Sequence, residues 1–292
     1  KIDQLNLDNY QVTVPETENQ AGEAPAPAGG NKVVTPLPIL PVDTLRRLNV
    51  DATVNLGKLI TNGAELTDIG VKVKASDGVV TLSSLTASLY QGKANFAAAV
   101  DVRPKQPNWN FDGSLAGVQL APLLRATSEI DWVEGSLDFN GKLTARGNQP
   151  LALKKTVKGP ATFTLSKAVL RGMSLDKTVC QAIALINREQ LSKRFDKDTR
   201  LNIIKGELEF GNGRLTNTAF TAGLSNTSVK GSGHVGLLDD SIDYRMGIRI
   251  IGELESVDPA CRVNKRYKDI YWPVRCKGSL KGEPAKLCNV DS

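Results

Sequence analysis

Four cysteines and one histidine are the residues of this 292-residue chain with the widest chemical repertoire. Cys180, Cys261, Cys276 and Cys288 form no C-x-x-C pair, and His234 alone cannot complete a Cys/His set, so a zinc site has little support. Three of the four fall in the last 32 residues, in loop-rich text. That distribution suits disulfides formed in an oxidising compartment, the alternative being four reduced thiols. Sequence leaves three pairings open. The expectation is Cys261–Cys276, closing a local loop, and Cys180–Cys288, tying the tail to a helix.

Other candidates for chemistry dissolve on inspection. His234 sits on the polar face of an expected strand, with no second histidine or nucleophile patterned around it, so it reads as a solvated side chain. Asp239-Asp240 falls between two strands and reads as a turn; one acidic pair is too few ligands for a metal. The text "GSGHVG" (231–236) superficially suggests a phosphate loop, but it lies inside strand text with no helix behind it. Its glycines are better explained by a bulge or by close packing against the backbone. There is no G-x-S-x-G, H-E-x-x-H or P-loop. No catalytic residue, cofactor or metal is assigned, and the chain is read as a non-enzyme.

The elements that would position any site are mostly strands. Aromatics are 5%, and 26 Gly and 14 Pro punctuate short apolar runs. In "KANFAAAVDVR", Phe96, Ala98, Val100 and Val102 share one face. In "SVKGSGHVGLL", Val229, Val235 and Leu237 oppose Lys230, Ser232 and His234. In "SIDYRMGIRI", Ile242, Tyr244, Met246, Ile248 and Ile250 oppose Asp243, Arg245 and Arg249. This period of two marks strands with one apolar and one polar face, the pattern of antiparallel sheets wet on one side. Asn62-Gly63 and Asp77-Gly78 are hairpin signals.

One convincing helix opens at Ser174, with Asp176 in its first turn and an apolar stripe of Leu175, Val179, Ala182, Ile183 and Ile186. A shorter one covers Leu120 to Ile130, with Pro122 near its start. The segment 15–41 holds six of the fourteen prolines and reads as a flexible, extended loop inside one region spanning 1–292; residues 255–292 read as a cystine-rich tail. The net charge of +6 is a mild excess, better read as that of an ordinary basic soluble protein than as a preference for an anionic membrane surface or a nucleic acid. No basic stripe is interleaved with aromatics, so no nucleic-acid partner is expected.

The chain also repeats itself. "DGVVTLSSLTASL" (77–89) and "NGRLTNTAFTAGL" (212–224) align without a gap at an offset of 135, with five identities in thirteen positions. At the same offset Val100 meets Val235, Trp109 meets Tyr244 and Phe111 meets Met246. A looser echo pairs "GVQLAPLL" (117–124) with "GMSLDKTV" (172–179). Repeated supersecondary units stack so that each covers its neighbour's apolar face. The fold expected is mainly β: an extended, curved antiparallel sheet of repeated strand modules with one or two short helices. With so few helices to cover the apolar face, part of it is expected to stay a groove, the alternative being a closed sandwich.

Three stretches carry a family resemblance: "KIDQLNLDNY" before the proline-rich loop, "LRRLNVDATVNLGKLITNGAELTDIGVKVKASDGVVTL", and "GELEFGNGRLTNTAFTAGLSNTSVKGSGHVGLLDDSIDYRMGIRI". The middle segments "FDGSLAGVQLAPLL" and "ATFTLSKAVLRGMSLDKTV" follow the same pattern. The chain resembles the C-terminal periplasmic part of AsmA proteins of Gram-negative bacteria. The resemblance implies a taco-like β-groove of the kind found in bridge-like lipid-transfer proteins. It implies a periplasmic body anchored to the inner membrane by a segment outside this text, and a role in phospholipid movement and outer-membrane assembly. It implies acyl lipid as ligand, with outer-membrane proteins as further partners. The other reading is a periplasmic scaffold for an outer-membrane assembly partner. Expected groove residues are Leu85, Leu89, Phe96, Val100, Phe111, Phe220, Leu224, Val235, Tyr244, Met246 and Ile248.

Overall fold

The computed structural model describes residues 2–6, 8, 38–61, 63–223, 227–252, 254–263 and 270–290. Among them fourteen strands form one sheet whose spatial order follows the chain. The strands are β1 (Ile2–Asn6), β2 (Val50–Thr61), β3 (Ala64–Ser76), β4 (Val79–Leu89), β5 (Gly92–Asp101), β6 (Asn108–Gln119) and β7 (Val133–Arg146). They continue with β8 (Gly159–Leu170), β9 (Thr199–Gly211), β10 (Arg214–Gly223), β11 (Thr227–Gly236), β12 (Ser241–Ile250), β13 (Tyr271–Ser279) and β14 (Cys288–Val290). Every neighbouring pair is antiparallel except β1–β2, which is parallel. The sheet is curved and does not close on itself.

The sequence repeat is a structural repeat. β3 and β9 have bounds that differ by the same 135 residues, as do β5 and β11. Both copies turn between their first two strands on two residues of positive φ, Asp77-Gly78 and Asn212-Gly213, which matches the right-handed twist of a two-residue hairpin. Both then bulge at the same place, between Leu82 and Leu85 in β4 and between Asn217 and Phe220 in β10. The hydrogen bond from Val102 N to Gly78 O (2.9 Å) is matched by Leu237 N to Gly213 O (2.9 Å). Bulges bend a strand and deepen its twist, so repeating them curves the sheet consistently to one side.

Among the described residues five short α-helices sit at the strand ends: α1 (Val42–Arg47), α2 (Leu120–Thr127), α3 (Pro150–Thr156), α4 (Leu175–Asn187) and α5 (Pro284–Leu287). α1, α3 and α5 were not expected, because four to seven residues are too few to show a helical period. The looser echo is real at the junctions: Gly117 and Gly172 share φ of 67°, and α2 and α4 begin three residues after each. α4 is capped as expected, the Ser174 hydroxyl accepting from Lys177 N. Its buried stripe is rotated from the expected one: Cys180 and Ala184 join Leu175, Val179 and Ile183, while Ile186 is 60% exposed. The cysteine supplied the missing apolar position, because a bonded cysteine behaves as a small hydrophobe.

The disulfides correct the expected pairing. Cys180 bonds Cys261 and Cys276 bonds Cys288; neither Cys261–Cys276 nor Cys180–Cys288 forms. Cys276 and Cys288 stand directly opposite each other in the β13–β14 register, twelve residues apart, so theirs is the more local closure. Cys261, in a 3-10 turn at Pro259–Cys261, packs on the face of α4 that carries Cys180. Of the proline-rich segment 15–41, residues 15–37 lie outside the described residues. Its last part is fixed: Leu40 N donates to Asn148 Oδ1 (2.8 Å) and Asn148 Nδ2 returns a bond to Leu40 O (2.9 Å). Among the described residues no helix is long and apolar enough to cross a membrane.

Candidate functional site

The register builds one unbroken row across the sheet. From β2 to β14 the directly paired residues are Val54, Val71, Leu85, Phe96, Gly113, Gly141, Ala161, Leu208, Asn217, Gly233, Tyr244, Cys276 and Cys288. A second row runs beside it: Ala87, Ala94, Leu115, Phe139, Phe163, Gly206, Phe220, Gly231, Met246 and Val274. Asn217 is the one polar side chain in either row, and its amide is used locally. Nδ2 donates to Glu207 O (2.6 Å) and Ala219 O (3.0 Å), which pins the β10 bulge. With neighbouring strands about 4.8 Å apart, the first row is an apolar band roughly 60 Å long measured along the sheet.

Glycines and aromatics alternate along this band for a steric reason. Phe96 pairs with Gly113, Phe163 with Gly206, and Phe220 with Gly231. A β-carbon placed on Gly231 would stand 2.8 Å from the Phe220 ring. The rings therefore lie flat across the backbone of the next strand and do not rise into the space above the sheet. That keeps the band smooth. The glycines of "GSGHVG" serve this close packing, as their pattern predicted. Neighbouring rings also touch, Phe96 with Phe111 at 5.0 Å and Phe220 with Tyr244 edge-on at 5.8 Å.

Two cavities lie along the sheet. The larger, about 880 Å³, spans β4 to β10 on the face opposite the band: on each strand it takes the residues flanking the band position, among them Thr86, Asn95, Ala97, Asp112, Lys142 and Glu207, whereas Phe111, Phe139 and Phe163 do not line it. The smaller, about 300 Å³, lies between β7 and β14 and is lined almost wholly by apolar groups, including Trp132, Met173, Phe220, Tyr244, Met246 and Leu287. Its walls are roofed by α4 and the C-terminal segment. Trp132 Nε1 donates to Leu280 O (3.0 Å) and Lys281 pairs with Glu129 (3.1 Å), so the turn after β13 meets the chain entering β7. Burial pushes the Tyr244 phenol up to about 12, and it stays neutral in any ordinary medium.

The expected groove residues divide between these regions. Leu85, Phe96 and Phe111 are half-buried on the uncovered stretch of the band. Phe220, Val235, Tyr244 and Met246 line the smaller one. Leu89 and Val100 are buried, as is Ile248, which is 1% exposed inside the core beneath α4. Leu224 lies outside the described residues. Sequence reasoning overlooked Phe139, Phe163 and Leu208, although "LDFNG", "ATFTL" and "GELEF" carry the same alternation. It also overlooked Trp132, Met173 and Leu287, which reach the small cavity from crossover segments without a period of two.

A sequence model of the AsmA family matches residues 1–220, three quarters of the chain. The chain belongs to the AsmA family. It is 22% identical over 257 residues to Protein AsmA of Escherichia coli strain K12, an alignment covering 85% of this chain and 41% of that protein. The chain thus spans less than half the length of this AsmA relative. No solved structure matches. The family match ends at residue 220, inside β10, so it covers the open stretch of the band and stops before β11 to β14 complete the closed end.

Proposed function

We propose that this AsmA-family chain is a non-enzymatic shelter for lipid acyl chains. On this reading it is the periplasmic part of a protein held at the inner membrane by a segment outside this sequence. It supports phospholipid transport between the inner and outer membranes and outer-membrane assembly. The observation that carries the reading is the apolar band running strand to strand from β2 to β14 on a curved sheet that does not close.

The physics is solvent exchange. Burying a methylene gains about 0.8 kcal/mol, so a sixteen-carbon tail sheltered along its length gains roughly 10 kcal/mol over water. A wall without ridges or charges offers a similar environment at each step, so a tail can slide without a deep local well. The flattened rings opposite Gly113, Gly206 and Gly231 provide such a wall. Headgroups would stay in water along the open margin of the band.

The test is loading. Delipidated protein should take up a fluorescent phospholipid, and native mass spectrometry of protein from cells should show bound phospholipid. Phe96→Glu should reduce uptake several-fold with an unchanged circular dichroism spectrum, because a carboxylate on the wall must be desolvated by any passing tail. A well-folded protein that takes up no lipid, and instead co-purifies with one stoichiometric protein, would replace this reading with the scaffold one.

A further inference from the structure

The trough leaves one feature of the molecule unexplained. Leu185 and Ile186, in the last turn of α4, are 79% and 60% exposed, the two most exposed large hydrophobic side chains among the described residues. Fraying does not account for them. The opposite face of α4 is buried and bonded through Cys180 to Cys261, and Asn187 Nδ2 donates to Ala260 O (3.1 Å) and Arg262 O (2.9 Å). The helix end is thus held rigidly with its aliphatic side chains in water. Ile251, 56% exposed, leaves β12 at the same end of the sheet.

Cations surround this tip. The segment after α4 presents exposed Arg188, Lys193 and Arg194, and it is fastened to the same end by Ser192 N and Lys193 N donating to Asp258 Oδ2 (2.8 and 2.7 Å). The carboxylate nearest the helix end, Glu189, is taken up by Arg262 at 2.9 Å. Arg188, Lys193, Arg194 and Lys197 outnumber Asp196, Glu255 and Asp258 there, a small positive excess.

We propose that the α4 tip docks on the surface of an anionic lipid bilayer. Leu185, Ile186 and Ile251 enter the boundary between headgroups and acyl chains, and Arg188, Lys193 and Arg194 meet the lipid phosphates. Shallow insertion of a few aliphatic side chains beside cations is how a protein holds to a membrane interface without crossing it. A protein partner fits less well, because three side chains fall short of the roughly 1,000 Å² that a specific interface buries. The tip is separate from the trough wall, so docking and loading can fail independently.

Flotation of the 292-residue chain with phosphatidylcholine vesicles, with and without phosphatidylglycerol, tests this. The protein should float with the anionic vesicles, and high salt should release it, since screening weakens the phosphate contacts. Leu185→Glu with Ile186→Glu should lower binding about tenfold or more, and Arg188→Glu with Arg194→Glu should remove the salt-sensitive part. Both double variants should keep the wild-type circular dichroism spectrum and load fluorescent phospholipid as before, because these side chains already face solvent. Absence of flotation by the wild-type chain, equal flotation by the Leu185/Ile186 variant, or a dimer in sedimentation that the same variant abolishes would overturn the proposal.

Discussion

The same strand module occurs twice in this molecule and ends in two different states. β3 to β6 form an open wall whose buried cluster is small: Leu56, Ile69, Ala87 and Ala94. β9 to β12 belong to a core of nineteen buried residues that includes α4 and both disulfides. Register, hairpin turn and bulge are shared, so strand geometry does not decide the outcome. The crossover does. The eight-residue α2 leaves the band uncovered, whereas the thirteen-residue α4 is long enough to lie across it and be bolted down by Cys261. A curved sheet is thus a neutral wall, and the connecting segments determine whether it holds protein or something else.

The largest expected effects come from removing the roof. Replacing Cys180 and Cys261 with Ala should cost about 2–5 kcal/mol in urea denaturation, through the closed end alone. If stability is unchanged, α4 is held by packing and the bond is incidental. Next, Ile248→Ala in the roofed core should cost about 2–5 kcal/mol. Phe111→Ala, on the open wall, should cost visibly less, because its ring has fewer protein neighbours to lose. Equal costs would mean that the two walls are equally filled and would dissolve the contrast. Gly231→Ala drives a β-carbon towards the Phe220 ring and should cost about 1–3 kcal/mol.

A smaller effect is pH dependence. Asp258 is fully buried at the closed end. Desolvation pushes its carboxyl up, but the N–H groups of Lys193, Ala260 and Ser192 outweigh that and hold it below the usual range. A depressed carboxylate stabilises the fold fully above its unfolded value of about 3.9, and that contribution fades as pH falls through the lower folded value. Thermal unfolding followed from pH 6 to pH 3 should show the midpoint falling in the acid range, with a flatter profile in Asp258→Asn. An identical profile would assign the acid sensitivity elsewhere. The smallest effect belongs to the exposed Lys142–Asp112 pair, whose removal should change stability by less than about 1 kcal/mol.

Much of this was legible in the sequence. The 135-residue offset located β4 and β10, the turns at Asp77-Gly78 and Asn212-Gly213, and the inward positions of Phe96, Phe220, Tyr244 and Met246, because alternation and turn chemistry are local. What was not legible depended on distance in the chain. Ile248 and Phe111 look alike in strand text, and only α4 and the tail, from far along the sequence, make one core and leave the other at the wall. The cystine pairing failed for the same reason. The β13–β14 register that sets Cys276 against Cys288 arises from the last three-residue strand, too short to announce itself. α4 showed its cap at Ser174 but not its rotation, which Cys180 fixed.

Photo-crosslinking tests the central claim most directly. The residue p-benzoylphenylalanine would replace Phe96, Phe139 or Phe163 on the apolar band, or the exposed Ala97 on the opposite face, in cells labelled with radioactive phosphate. The account predicts phospholipid adducts from the three band positions and none from Ala97. Adducts from Ala97 at the same level, or none from any band position in folded protein, would contradict it.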